Sequence, residues 1–202
     1  MGLLKKLFGR ARRPVIIVSG LPRSGTSMAM RMLETGGLPV LIDGIRTPNA
    51  DNPKGYYEFE RVKKLPEGDV EWLSDAEGKV VKIIAALLTH LPASHTYRVL
   101  FMRRKMDEIL ASQKQMLVRR QEDAGAVADG EMAALFEKHL TQIYGRMAQQ
   151  PNLTYMDVDY NQLLVDPMPI LTEVQAFLEV PLDLHAMAAV VDPTLYRQRA
   201  EV

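Results

Sequence analysis

The stretch VSGLPRSGTS, residues 18–27, limits what this chain can fold into more than any other part of it. Before it stands a short β-branched run, PVIIVSG at 14–20; after it Met28, Met32 and Leu33 recur at helical spacing until Gly36 and Gly37 stop the pattern. A strand, a glycine-bearing turn and a helix in direct succession aim backbone N–H groups at one point in front of a helix N-terminus, where an oxyanion is the natural guest. Gly20 and Gly25 have the separation of a phosphate loop of pattern G-x-x-x-x-G-K-[ST], but Thr26 stands where that pattern has lysine. The usual contact to β and γ phosphates is therefore lost. In its place Arg23 offers a planar fork of donors suited to a tetrahedral anion, with the hydroxyls of Thr26 and Ser27 beside it.

Strand patterns recur at 79–88 (KVVKIIAALL), 97–104 (YRVLFMRR) and 153–160 (LTYMDVDY). Helical patterns separate them at 106–121 and 131–149, and a last one runs from about 168 to 179, entered through Asp166 and Pro167. Segments 46–55 and 122–130 read as loops. Strands alternating with helices predict an α/β fold of three layers, a central parallel sheet flanked by helices as in P-loop nucleotide-binding proteins, with ligands at the carboxyl ends of the strands. Residues 14–202 are expected to form this single domain, a length that suffices for one sizeable core.

Twenty-five basic and 25 acidic side chains cancel, so no overall field favours nucleic acid, and none is expected as a partner. The absence of cysteine excludes disulfides, thiolate chemistry and cysteine-based zinc sites. The longest apolar run, 83–88, is too short to span a bilayer, and neither a secretory core nor a myristoylation signal opens the chain, so a soluble cytoplasmic protein is expected. Residues 1–13 set Lys5, Lys6, Arg10, Arg12 and Arg13 among Leu3, Leu4, Leu7 and Phe8. They form a basic N-terminal arm, expected to be solvated, with peripheral membrane contact as the alternative.

The string GLPRSGTS resembles the 5'-phosphosulfate loop of sulfotransferases, which carry P-[RK]-S-G-T-[ST]. A second family signature, an arginine ending a strand and a serine eight residues later on the following helix, is matched by Arg104 and Ser112 in VLFMRRKMDEILAS. YNQLLVDPMPILTEVQAFLEV, from 160, is similar to the family's closing Y-E-D-L-x-x-D-P and helix, with Asn161 and Glu179 departing from it. The resemblance implies a sulfotransferase that moves a sulfuryl group from 3'-phosphoadenosine-5'-phosphosulfate to a hydroxyl or amine on a small-molecule, carbohydrate or lipid acceptor. Pro22, Arg23, Ser24, Gly25, Thr26 and Ser27 would hold the 5' end of that cofactor, and Arg104 and Ser112 its 3'-phosphate, with Arg103 as a neighbour. Met106 stands where the family has proline. The glycine-rich C-terminal segment that closes over the 3'-phosphate in many members is missing; Arg197 and Arg199 are the residues that could take its part.

Sulfuryl transfer needs charge stabilised on the departing oxygen and a base for the acceptor's proton. Arg23 is assigned the first task; Lys82, an ammonium interrupting an apolar run, is assigned to the transferring group, and Glu58 in NPKGYYE to the base. His90 in THLP is the alternative base, whereas His139 and Trp72 read as packing or surface residues. No metal is required, although Asp157 and Asp159 keep a metal-dependent alternative open. Two rivals stand beside this reading: a P-loop nucleotide kinase-like enzyme, and a catalytically silent module that binds nucleotide and docks on membranes. The leading reading also expects the Arg23 and Arg104 guanidinium groups to face each other across a gap the size of an adenosine.

Overall fold

Four strands, β1 (Val15–Gly20), β2 (Val80–Lys82), β3 (Tyr97–Arg103) and β4 (Leu153–Asp159), form one sheet in the order β2-β1-β3-β4, with every neighbouring pair parallel. The architecture comes from a computed structural model that describes residues 12–45, 55–122 and 127–191. The arm through residue 11, most of the first expected loop and part of the second, and Arg197 and Arg199 lie outside the described residues.

Side chains alternate along β1. Val15 and Ile17 enter one core, Ile16 and Val18 the other, and all four are 2% exposed or less, as a strand covered on both faces requires. On the first face lie Ile109 of α2 (Met106–Arg119) and Leu140, Ile143 and Met147 of α3 (Asp129–Met147). The second face is covered by α1 (Thr26–Thr35), α4 (Tyr160–Val165), α5 (Pro167–Leu178) and α6 (Leu184–Val190). Fully buried side chains such as Ile17, Val99 and Phe101 each contribute roughly 1.5–3 kcal/mol.

The chain leaves β1 toward β2 on one side, then crosses to β3 on the other. This reversal opens a crevice at the carboxyl ends of β1 and β3, where open parallel sheets bind ligands. Residues 20–27 and Arg104 stand at those two ends.

The predicted second strand is shorter than its apolar run. Pairing ends at Lys82, with Ile83 N still donating to Val18 O at 3.1 Å, and Ala85–His90 winds into a 3-10 helix that buries Leu88. Alanine and leucine lack the β-branched shape that holds an extended strand, and the turn starts the crossover back toward β3. Beside β2, Val40 bridges to Val80, which carries residues 39–43 along the sheet edge.

The amino-terminal edge is held by the last two bases of the expected arm. Arg12 Nη1 donates to Ser94 O at 2.9 Å, and Arg13 packs its guanidinium against Gly78. His95, 9% exposed, sits at this edge with Nδ1 3.0 Å from Ser94 Oγ; Nε2 is buried without a hydrogen-bond partner, 3.9 Å from Glu77. Burial foremost, then the Arg12 charge, lowers its pKa. Trp72 is a packing residue, 2% exposed, edge-on to Phe59 and donating to Asp69 O. Among the described residues no helix is long and apolar enough to cross a membrane.

Candidate active site

The loop after β1 is built on left-handed backbone. Arg23 has φ of 71°, and Gly25, the N-cap of α1, has φ of 99°. A Cβ on Gly20 would lie 2.6 Å from Ser24 Oγ and 2.8 Å from Met102 O, and one on Gly25 2.4 Å from the Tyr160 ring, so both positions exclude a side chain. Ser24 is buried; its hydroxyl donates to Leu21 O at 2.7 Å and stitches the turn, which leaves its backbone as its part in any ligand contact. Pro22 is exposed and fixes backbone shape. No side chain caps α1 and no acid lies in its first turn, so its N-terminal partial charge is not offset from within the helix.

The structure brings Arg23, Ser112 and Arg104 into one hydrogen-bonded chain. Arg23 Nε donates to Ser112 Oγ at 2.9 Å, and Arg104 Nη1 donates to the Arg23 carbonyl oxygen at 3.0 Å. The two arginine sites, expected to be separate pockets, therefore adjoin: the loop arginine reaches the serine assigned to the other site. Arg104 also donates through Nε to Glu108 Oε2 at 2.9 Å and lies 4.8 Å over the Tyr160 ring. Arg103 leaves this cluster; its guanidinium stacks on Tyr144 and donates to Tyr144 Oη at 3.3 Å.

Lys82, at the end of β2, joins the loop to the segment before the 3-10 helix Glu60–Glu67. Its Nζ donates to the Tyr56 carbonyl and to Ser27 Oγ at 3.4 Å, and stands 4.0 Å from Glu58 Oε1. Its side chain is 10% exposed and that of Glu58 22%, so the pair is sheltered without being sealed. The neighbouring Tyr57 donates to Glu34 at 2.5 Å, and burial together with this bond pushes its pKa up to about 12.

The remaining candidates are held elsewhere. His90 is exposed at the end of the 3-10 helix, two residues before Pro92, whose carbonyl accepts from Tyr97 Oη at the start of β3. It thus stands toward the opposite edge of the sheet from Lys82. Asp157 accepts from Tyr144 Oη at 2.5 Å, and Asp159 caps α4 by accepting from Asn161 N and Gln162 N. Among the described residues no group of three or more histidines or acids could hold a metal ion.

Three side chains that meet this cluster were not anticipated in it: Glu108 and Tyr160, which touch Arg104, and Asn161, which donates to Glu108. The sole local signal was the i,i+4 separation of Arg104, just before α2, from Glu108 in the first turn of that helix.

The model of the family described as the sulfotransferase family matches residues 55–184. Among solved structures, a sulfotransferase from Mycobacterium tuberculosis is similar with a TM-score of 0.58 and 21% identity, over 88% of this chain and 71% of that one. The sulfotransferase domain from the curacin biosynthetic pathway gives 0.50 and 17%, over 86% and 76% respectively. At these identities the structural likeness is one of fold. No curated protein matches the chain.

Proposed function

The chain belongs to the sulfotransferase family, and from that premise we propose that it passes the sulfuryl group of 3'-phosphoadenosine-5'-phosphosulfate to a hydroxyl or amine on a small-molecule, carbohydrate or lipid acceptor. The observation that carries this reading is the contact chain from Arg104 through the Arg23 carbonyl to Ser112. The 3' and 5' oxygens of such a nucleotide hang from a single ribose, so its two anionic arms call for adjacent hydrogen-bond donors rather than donors an adenosine apart. Arg23, Ser112, Arg104 and the N-terminus of α1 suit that demand in type and in proximity.

When bound, the nucleotide supplies an electrophilic sulfur and a phosphate leaving group. Arg23 and the backbone N–H groups of residues 25–27 stabilise negative charge on the departing oxygen, in a fixed arrangement that needs no reorganisation as the bond breaks. Lys82, next to Ser27 at the mouth of the loop, neutralises the oxygens of the group in flight. Glu58, 4.0 Å from Lys82, takes the proton of the acceptor as the new S–O or S–N bond forms. Arg104 and Ser112 hold the 3'-phosphate and fix the register of the ribose.

Calorimetry on the full chain tests the reading. 3',5'-Adenosine bisphosphate without metal should bind more tightly than ATP with Mg²⁺, and the reverse order would overturn the assignment in favour of a kinase-like enzyme. A screen of radiolabelled sulfuryl transfer to phenols, sugars and lipid alcohols then separates an enzyme from a silent nucleotide-binding module.

A further inference from the structure

Glu108 carries a carboxylate on a side chain that is 1% exposed. Burying such a group is expensive unless its oxygens are paired. Here Oε2 accepts from Arg104 Nε at 2.9 Å, and Asn161 Nδ2 donates to Oε1 at 2.9 Å and to Oε2 at 3.1 Å. Asn161 is held in turn by Lys105 N, which donates to its Oδ1 at 3.2 Å, and by the Asp159 cap of α4. Glu108 belongs to α2 on one face of the sheet and Asn161 to α4 on the other, so their contact fastens the two helical layers together across the end of β3.

Arg104 sits inside this fastening. Its Nε edge is taken by Glu108, its Nη1 by the Arg23 carbonyl, and its face by the Tyr160 ring. An arginine framed on these sides loses little rotamer freedom when an anion arrives. Among the charged and titratable groups near the Glu108 carboxylate are Arg104, bonded to it, and Tyr160 from α4, which feels its charge; burial foremost raises the Tyr160 pKa. A second acid at position 161 would bring two carboxylates into contact, and one of them would have to take up a proton. The amide of Asn161 instead donates to both Glu108 oxygens and adds no second acid.

We propose that Glu108 and Asn161 form a positioning pair that aims the Arg104 guanidinium at the 3'-phosphate and sets the preference for 3'-phosphorylated over unphosphorylated adenine nucleotides. This inference rests on the sulfuryl-donor reading above. Both residues act through Arg104, so they govern discrimination between nucleotides rather than nucleotide binding in general.

The test is calorimetry of 3',5'-adenosine bisphosphate and adenosine 5'-phosphate on the wild type, Glu108→Gln, Asn161→Asp and the double variant, which exchanges acid and amide between the two positions. Each single variant should weaken the bisphosphate about tenfold and the monophosphate less than about twofold, and the exchange should restore bisphosphate affinity to within about threefold of wild type. The Asn161→Asp penalty, measured relative to wild type, should also shrink as pH is lowered and one of the paired acids is protonated. Equal weakening of both nucleotides, unchanged bisphosphate affinity, or a double variant no better than the singles would overturn the pair's role. If Asn161→Asp does not fold, the nearly isosteric Glu108→Gln decides by the ratio of the two affinities. A wild type that binds neither nucleotide overturns the sulfuryl-donor reading and this inference with it; a wild type that binds the bisphosphate while the variants keep its preference overturns this inference alone.

Discussion

Tyr160 and Gly25 exclude each other's side-chain space: the Tyr160 ring lies 2.4 Å from where a Cβ on Gly25 would stand, and the same ring supports Arg104 at 4.8 Å. One aromatic side chain, delivered by the end of β4, thereby sets the height of the anion loop relative to the arginine at the end of β3. Two independent penalties meet at Gly25, a left-handed backbone and a filled neighbour. Gly25→Ala is accordingly expected to destabilise the fold by about 2–4 kcal/mol. Chemical denaturation measures it, and a variant as stable as wild type would mean that the ring yields without resistance.

Arg104→Ala separates the nucleotide's two anionic arms. Loss of a charge-assisted contact to the 3'-phosphate should weaken 3',5'-adenosine bisphosphate by about 30-fold or more, with a much smaller effect on adenosine 5'-phosphate. Titration of both ligands against the variant decides, and equal losses would remove Arg104 from the 3' position.

Arg23→Ala tests the role proposed for Arg23 at the reacting oxygen. Charge that matters most as the leaving group departs should lower kcat about 100-fold while raising KM for the sulfuryl donor far less. Steady-state kinetics with any acceptor found in the screen provides the comparison. A change confined to KM would make Arg23 a binding residue only.

His95 predicts a pH dependence at the opposite edge of the sheet. Its folded pKa lies below the ordinary 6.5, so the unfolded chain takes up the proton first as pH falls. The stability contributed by the neutral, buried ring is therefore present above about 6.5 and is lost as pH drops from there toward the lower folded value. In thermal unfolding, His95→Gln should flatten the wild-type decline over that interval. An unchanged slope would assign the decline to other groups.

Where chemistry is carried by a contiguous string, the sequence was legible. VIIVSG, the glycines at 20 and 25 and the helix after them follow from local pattern, as do β3 and the placement of Arg104 and Ser112 on its exit and on α2. KVVKIIAALL was legible only in part, because the apolar run at 83–88 does not by itself distinguish a buried strand from a buried turn; β2 ends at Lys82, and Ile84 is 53% exposed. The framing of Arg104 was legible only in the i,i+4 spacing of Glu108. Asn161 meets Glu108 across 53 positions of sequence, and nothing in NQLL reports which carboxylate its amide will find. The short helices α4 and α6 escaped for a related reason, since six or seven residues carry too little periodicity to stand out from their surroundings.

The contact of Asn161 with Glu108 also dates the site during synthesis. Arg23 leaves the ribosome 81 positions ahead of Arg104 and 89 ahead of Ser112, and Asn161 follows Glu108 by a further 53. A nascent chain that ends after α2 carries the loop, Arg104 and Glu108, yet still lacks the amide that steadies the acid. On the proposed function, the preference for a 3'-phosphate is thus acquired late, once α4 has emerged and docked.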